Sequence, residues 1–274
     1  QVFDASPNLT VRDSKFNDNG GLGGFQDEPG ATLVNVTANG NDNYGLSLSQ
    51  NTTLRDGEVR NNGDEGILAN NGETTLEDVV VSGNGGVEVD FDGGSPSFAT
   101  NLTVGPVRYA SIEAQSVLLE ETVPTQPTEP AGLERVTNST DIFAGSFVNN
   151  FANATFSYTD TEAANADESS ISVYEANGTG WSERSGSSLD TGANEVNVNI
   201  TSFSTFALFG SEGVRGTPGA GGDCINRRNI GRGQEGQECP RDRTIERGGS
   251  REDLDRESGR NSDTARRDRG RGSR

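Results

Sequence analysis

The sequence predicts an all-β protein: a short right-handed parallel β-helix, then an antiparallel β-sandwich, with an Arg/Gly-rich extended tail. A short segment recurs four times in the first third of the chain, and alternating apolar segments follow in the middle. Val dominates the apolar residues and Met is absent, which favours strands over helices. Only 30% of the residues are apolar and 37 are Gly, so the core must be built from short elements.

The repeat is clearest in LEDVVVSGNGG, which starts at Leu76. It aligns with LRDGEVRNNGD from Leu54, LVNVTANGNDN from Leu33 and VRDSKFNDNGG from Val11, with starts 22, 21 and 22 residues apart. Two places after each start is an acidic or amide residue, and five places after it is an apolar one. The first set is Asp13, Asn35, Asp56 and Asp78, and the second is Phe16, Ala38, Val59 and Val81. We expect this period to end after Phe91.

The eighth place of each copy is always asparagine: Asn19, Asn41, Asn62 and Asn84. Asn followed at once or shortly by Gly is turn chemistry, because Asn tolerates the left-handed region. One copy has too few apolar groups to bury its own face, whereas stacked copies about 4.8 Å apart form parallel sheets. Stacking superimposes the four asparagines, so we predict a hydrogen-bonded structural ladder rather than a ligand site.

This pattern resembles the parallel β-helix repeat of pectate-lyase-like and surface-layer-associated proteins over roughly residues 5 to 95. The resemblance raises two activities, polysaccharide cleavage and copper delivery. Cleaving enzymes usually have a longer solenoid, and copper delivery requires His and Met, both absent here. No capping helix precedes Val11, so we expect that an N-terminal cap is missing or that another chain or an upstream segment supplies it.

The second module is predicted from alternating segments joined by turns such as Ala-Asn-Gly. Its predicted core residues are Phe156, Ile171, Val173, Trp181, Val196, Val198, Ile200, Phe203, Phe206 and Leu208. The run from Val173 to Gly210 resembles a C-terminal sandwich domain of haloarchaeal cell-surface and secreted proteins, which implies location and architecture but no chemistry. We therefore divide the chain into a parallel β-helix (1–106), connecting strands and a Pro/Thr-rich linker (107–132), a β-sandwich (133–210) and an Arg-rich polyampholyte tail (211–274).

The net charge of −20 comes from 42 acidic and 22 basic residues, with Lys15 as the single lysine. An acidic surface repels phosphate backbones, so we expect no nucleic-acid partner. In multimolar salt the self-repulsion is screened within about 3 Å. The composition is similar to that of proteins from halophilic archaea, and we expect such a source.

The tail differs in charge from the rest of the chain, because residues 211–274 carry a net +3 against −23 for residues 1–210. Both cysteines lie in it, and a Cys224–Cys239 disulfide would stabilise by roughly 3 kcal/mol outside the cell. Its arginines suit bidentate carboxylate contacts. We expect docking on another copy or on an acidic surface component, the alternative being a solvated tail. The proposed partner-binding residues are Arg227, Arg228, Arg232, Arg241 and Arg243.

Eight Asn-x-Ser/Thr sequons fit a secreted, glycosylated chain. They are at Asn8, Asn35, Asn51, Asn101, Asn138, Asn153, Asn177 and Asn199. No run of 18 apolar residues exists, so no membrane span is expected. Histidine is absent, which excludes Ser-His-Asp catalysis and imidazole metal sites, and we expect no cofactor and no metal.

These observations predict a non-enzymatic, extracellular structural protein of a halophilic archaeon. It would self-assemble into a surface layer or filament through the uncapped β-helix end and the Arg-rich tail. The alternative is a carbohydrate-binding or polysaccharide-cleaving module with surface glycans as partners. In that case the β-helix face with Tyr44, Glu65, Asp90 and Asp92 would receive the glycan.

Overall fold

The computed structural model describes residues 2–3, 8–21, 23–26, 29–70, 72–121, 127–147 and 149–213. The chain divides into two units, residues 1–218 and 219–274, and every described residue belongs to the first. Within the described part almost all regular structure is β, as the sequence predicts.

The strands of the repeat region are β1 (Val2–Phe3), β2 (Thr10–Lys15), β3 (Phe25–Gln26), β4 (Thr32–Asn39), β5 (Leu46–Leu48), β6 (Thr52–Arg55), β7 (Glu58–Arg60), β8 (Ile67–Ala69), β9 (Thr74–Glu77), β10 (Val80–Ser82), β11 (Val89–Phe91) and β12 (Ser97–Val104). Most of them are only two to four residues long, whereas β2, β4 and β12 continue through a bend at Asp13, Asn35 and Asn101.

The later strands are longer on average. They are β13 (Val107–Gln115), β14 (Val117–Glu121), β15 (Leu133–Arg135), β16 (Thr140–Ala144), β17 (Phe151–Ser157), β18 (Ser172–Asn177), β19 (Gly180–Glu183), β20 (Ser188–Asp190), β21 (Glu195–Ile200) and β22 (Ser204–Ser211). One short helix, α1 (Asp160–Ala163), begins at a capping box formed by Thr159 and Glu162, and a 3₁₀ turn spans Glu168–Ser170.

The four sequence copies stack as turns of a parallel solenoid of about four turns. Their starting residues are register partners: Val11 pairs with Leu33, Leu33 with Leu54, and Leu54 with Leu76. Leu33, Leu54 and Leu76 are fully buried. The predicted parallel β-helix is therefore confirmed, and these leucines stack as one of its internal apolar columns.

The prediction that the period ends after Phe91 is wrong by half a turn. Strand β12 adds a fifth parallel strand, in which Ala99 pairs with Leu76 and Val104 with Val81. The copy is hard to recognise because Ala replaces Leu at its first position and the spacing lengthens to 23 residues.

The parallel stack continues directly into antiparallel strands. Sheet A runs β1-β3-β5-β8-β11-β14-β16-β22-β18-β19, with β15 also beside β22; sheet B runs β10-β7-β4-β6-β9-β12-β13-β17-β21-β20, with β2 beside β4. Pairing changes from parallel to antiparallel at β11–β14 in sheet A and at β12–β13 in sheet B. The predicted border at residue 106 falls in the β12–β13 turn, and residues 107–121, predicted to be connecting strands, form β13 and β14 of these sheets.

A single hydrophobic core extends from the first turns to the last strands. Eight of the ten predicted C-terminal core residues are buried, whereas Trp181 and Phe203 are half-buried. Trp181 packs on Phe209, with ring centroids 5.2 Å apart, and the Arg135 guanidinium lies 5.2 Å from its ring. Arg135 thus covers one side of an aromatic pair at the surface.

Candidate functional site

The asparagine column runs along the solenoid axis. Asn19 donates through its backbone N–H (3.0 Å) and Nδ2 (2.8 Å) to Asn41 Oδ1, and Asn41 donates in the same way to Asn62 Oδ1 (3.0 and 2.8 Å). Asn62 repeats the pair onto Asn84 Oδ1 (3.0 and 2.9 Å) and donates to the Ala38 carbonyl (3.0 Å). Asn41 and Asn62 are each 2% exposed. Each turn of the solenoid thus contributes one asparagine to the column, and the column satisfies the hydrogen bonds of these buried polar groups.

Glu88 closes this column in place of a fifth asparagine. Asn84 donates to it through the backbone N–H and through Nδ2, and Glu88 is only 2% exposed. Burial raises the pKa of the Glu88 carboxyl, while the Asn84 hydrogen bonds oppose that rise. Sequence reasoning missed this role, because Glu88 stood out only as one of many acidic residues.

The acidic and amide residues two places after each start form the main bend. Asp13, Asn35, Asp56, Asp78 and Asn101 all adopt left-handed backbone, with φ between 50° and 55°. Asn35 Nδ2 donates to Asp13 Oδ1 at 2.7 Å, and Asn101 Nδ2 to Asp78 Oδ1 at 2.9 Å. Asn and Asp occur here because they tolerate this conformation better than other side-chain-bearing residues.

All eight sequon asparagines are exposed. Four of them lie at left-handed bends of the solenoid: Asn8, Asn35, Asn51 and Asn101. The other four lie in or near the antiparallel strands: Asn138, Asn153, Asn177 and Asn199. The left-handed bends explain why Asn occupies the first four positions, whether or not a sugar is attached.

Of the carboxylates that the sequence associated with glycans, Asp90 lies in sheet A, and Glu65 and Asp92 lie just outside its strands β8 and β11. Asp90 of β11 pairs with Leu68 on one side and Leu118 on the other, and Leu118 pairs with Phe143, which is 38% exposed. Burial, with repulsion from Asp92 and Glu65, raises the Asp90 pKa to about 7. Its Oδ1 is buried and has no hydrogen-bond partner among the described residues.

The neighbouring candidates differ in how they are held. Asp92 accepts hydrogen bonds from Ser146 Oγ at 3.0 and 3.1 Å. Tyr44 and Glu65 occupy corresponding positions of successive turns, two residues before the register partners Leu46 and Ile67. Burial raises the pKa of the Tyr44 hydroxyl. The structure thus brings Asp90, Asp92 and Glu65 close enough for their charges to interact.

The remaining predicted residues fall in the tail. Cys224, Cys239 and the five arginines from Arg227 to Arg243 lie outside the described residues. Within the described ranges no group of three or more acidic residues, Cys or His is arranged to hold a metal ion. The helix α1, which lies in the part of the chain that the structure describes, is too short to cross a bilayer.

The comparisons with known proteins agree with the geometry of the solenoid. Residues 2–103 match the family model described as a right-handed β-helix region. The searches of curated proteins and of solved structures gave no significant match. The matched segment is therefore a parallel β-helix domain, and such a domain fits either a structural or a carbohydrate-interacting role.

Proposed function

We propose that this chain is a non-enzymatic structural protein on the outside of a halophilic archaeal cell, where copies assemble through the first turn of the solenoid. The observation that carries the proposal is the continuity of both sheets from the first turn to the last antiparallel strand. A body with one core and two unbroken sheets resists bending along its length, which suits a structural unit. The net charge of −20 with one lysine and the eight exposed sequons support an extracellular, high-salt setting.

The surface for assembly is the edge strand β2. Among the described strands it pairs with β4 alone. Thr32 N–H donates to the Leu9 carbonyl at 2.8 Å, so in the trans peptide the Thr10 N–H points away from β4. Two residues on, the Arg12 N–H has the same orientation. These outward donors form a template for pairing with another strand.

The tail supplies a second contact. It holds fourteen arginines from Arg227 to Arg274, whereas residues 1–210 hold 30 acidic groups. Bidentate pairing of guanidinium groups with carboxylates favours contact with a neighbouring copy. Because multimolar salt weakens exposed pairs, this contact requires partly buried partners.

Electron microscopy of the full chain in multimolar salt tests the edge-strand contact. We expect polymers for the wild type, and their loss in Arg12→Pro, which removes one outward N–H without touching the β2–β4 hydrogen bonds. Arg12→Ala is the matched control, because it removes the side chain but keeps the N–H. Monodisperse wild-type particles, or equal assembly of Arg12→Pro and Arg12→Ala, would refute assembly through β2.

The tail contact is tested by neutralising five arginines in the full chain. We expect shorter or fewer polymers when the proposed binding set is replaced by Gln and little change for a control set of equal size. If both sets act alike, the effect is one of net charge rather than of a specific contact. The proposed set is Arg227, Arg228, Arg232, Arg241 and Arg243, and the control set is Arg251, Arg256, Arg260, Arg266 and Arg267.

A second candidate function, polysaccharide cleavage, is favoured by Asp90. A carboxyl group that titrates near neutral pH suits a general acid, and a second carboxylate such as Glu65 or Asp92 completes the pair that glycoside hydrolysis requires. Release of reducing ends from xylan or polygalacturonate by the wild type, lost in Asp90→Asn but kept in the exposed control Asp42→Asn, would establish cleavage. No release by the wild type would leave the structural role as the better account.

A further inference from the structure

A groove on the outer face of sheet B lies in the antiparallel half of the molecule, away from the Asp90 face. It encloses about 450 Å³ and extends across β12, β13, β17 and β21 to the loop before β20. That volume lies within the range of ligand pockets in proteins, roughly 300–1,000 Å³.

Two rows of outward side chains cross the strands in register. The first row joins Phe98, Glu113, Asn153 and Asn199, and the second joins Thr100, Ser111, Thr155, Asn197 and Ser188. Neighbouring members of a row are about 4.8 Å apart, so hydroxyl and amide groups repeat at short, regular intervals along the groove. An extended chain of hydroxyl-rich units matches such a row.

Hydrogen bonds within the rows hold these side chains in place. Ser111 Oγ donates to Thr155 Oγ1 at 3.0 Å, and Thr155 Oγ1 donates to Asn197 Oδ1 at 2.6 Å. Asn199 Nδ2 donates to Asn153 Oδ1, and Asn153 Nδ2 donates to Glu113 Oε2 at 3.1 Å. Ordering these groups before binding lowers the entropic cost of capturing a ligand.

The rows leave hydrogen-bonding capacity for a ligand. Among the described residues nothing accepts from Asn197 Nδ2 and nothing donates to Asn199 Oδ1. These are one donor and one acceptor, which suits a hydroxyl group because it both donates and accepts.

The charge of the groove indicates a neutral ligand. Glu113 is the one charged residue among its fourteen lining residues, although 23% of the whole chain is charged. Without an arginine or lysine, the lining offers an acidic ligand no charged partner, and the Glu113 carboxylate repels it. Phe98, 39% exposed at the β12 end, adds an apolar ring face against which a sugar ring packs.

We propose that this groove binds a neutral oligosaccharide, with Phe98 packed against one sugar ring and Asn197 and Asn199 hydrogen-bonded to hydroxyl groups. The site is separate from the assembly surface at β2 and from the Asp90 face, so the tests of those two surfaces do not decide whether the groove binds a sugar.

Calorimetric titration of the full chain in multimolar salt tests the proposal, with cellohexaose, xylohexaose, mannohexaose and the acidic hexagalacturonate as probes. We expect at least one neutral hexasaccharide to bind. Phe98→Ala should weaken that binding about tenfold and Asn197→Ala about fivefold. Phe143→Ala is the matched control, because Phe143 is 38% exposed on the other sheet, and it should bind like the wild type.

Three results would overturn the assignment. They are the absence of binding to all three neutral probes, binding that Phe98→Ala and Phe143→Ala affect equally, and binding of hexagalacturonate as tight as that of the best neutral probe. A fourth concerns the sequons, since Asn153 and Asn199 line the groove. If glycopeptide mass spectrometry of the protein from its source finds sugar on either asparagine, the groove holds the chain's own glycan instead.

Discussion

Replacing Asp90 by Asn removes a carboxylate that the fold places among apolar neighbours. Leu68 and Leu118 pair with it on either side, and Asp92 and Glu65 repel its charge. The pKa therefore rises from 3.8 to about 7. Because the unfolded chain releases this proton at lower pH than the folded chain does, the wild type loses stability as the pH rises from about 4 to about 7.

The size of the effect follows from that pKa difference. A pKa difference of one between the folded and the unfolded chain corresponds to about 1.36 kcal/mol. The ionised Asp90 carboxylate therefore costs the folded state about 4 kcal/mol at most. Asp90 is partly exposed, and solvent screening lowers this figure to about 2 kcal/mol. Asp90→Asn should therefore be more stable than the wild type by about that amount above about pH 8, and equal to it near about pH 4.

Urea unfolding at fixed high salt, followed by circular dichroism at both pH values, measures this difference. In thermal unfolding, the same free-energy difference corresponds to a Tm of Asp90→Asn that is roughly 4–8 °C above that of the wild type at the higher pH. Asp42→Asn is the control, because it makes the same substitution at an exposed position on a solenoid turn. A stability difference for Asp90→Asn that is the same at both pH values would contradict the argument, because only the ionised form is disfavoured.

Two further predictions concern the solenoid. Asn62→Ala should lower the free energy of unfolding by about 3 kcal/mol, since it removes the Oδ1 that accepts two hydrogen bonds from Asn41 and the Nδ2 that donates to Asn84 and to the Ala38 carbonyl. Asn19→Ala, at the half-buried end of the column, should cost about 1 kcal/mol, and equal costs in urea unfolding would contradict the ladder. Gly45→Ala should destabilise by about 2 kcal/mol, because its Cβ would lie 2.5 Å from Val59 Cγ1. Gly94→Ala meets nothing within 4 Å and should unfold at nearly the wild-type urea concentration, so similar losses for both variants would refute the packing argument.

The choice between a structural and a carbohydrate-interacting role depends on surfaces rather than on the fold. A parallel β-helix stabilises itself through its internal columns and leaves every outer face available. In this chain the β2 edge, the Asp90 face and the groove of sheet B are three such surfaces, and separate variants test each one.

Much of the solenoid was predictable because it follows from a local rule repeated at each turn. The stacking of Leu33 on Leu54 and Leu76 follows from their identical positions in the copies. The left-handed bend at Asp56 and its equivalents follows from residue type, since Asn and Asp tolerate positive φ. Only the fifth copy escaped detection, because Ala99 replaces the leucine that marks the others.

The tertiary structure decided what depends on pairing between distant segments. Glu88 lies only four residues after Asn84, but its backbone pairs with Ile67 and Leu119 from distant segments, and that packing buries its carboxyl at the end of the asparagine column. The raised pKa of Asp90 depends on burial first and then on repulsion from Asp92 and Glu65, and the strand pairing that places Leu68 and Leu118 on either side of it joins residues 22 to 28 positions apart. The groove row joins Phe98 to Asn199 through two intervening strands. Repeats and turns depend on residues that are close together in the sequence. These contacts depend instead on long-range strand register, which composition and spacing do not specify.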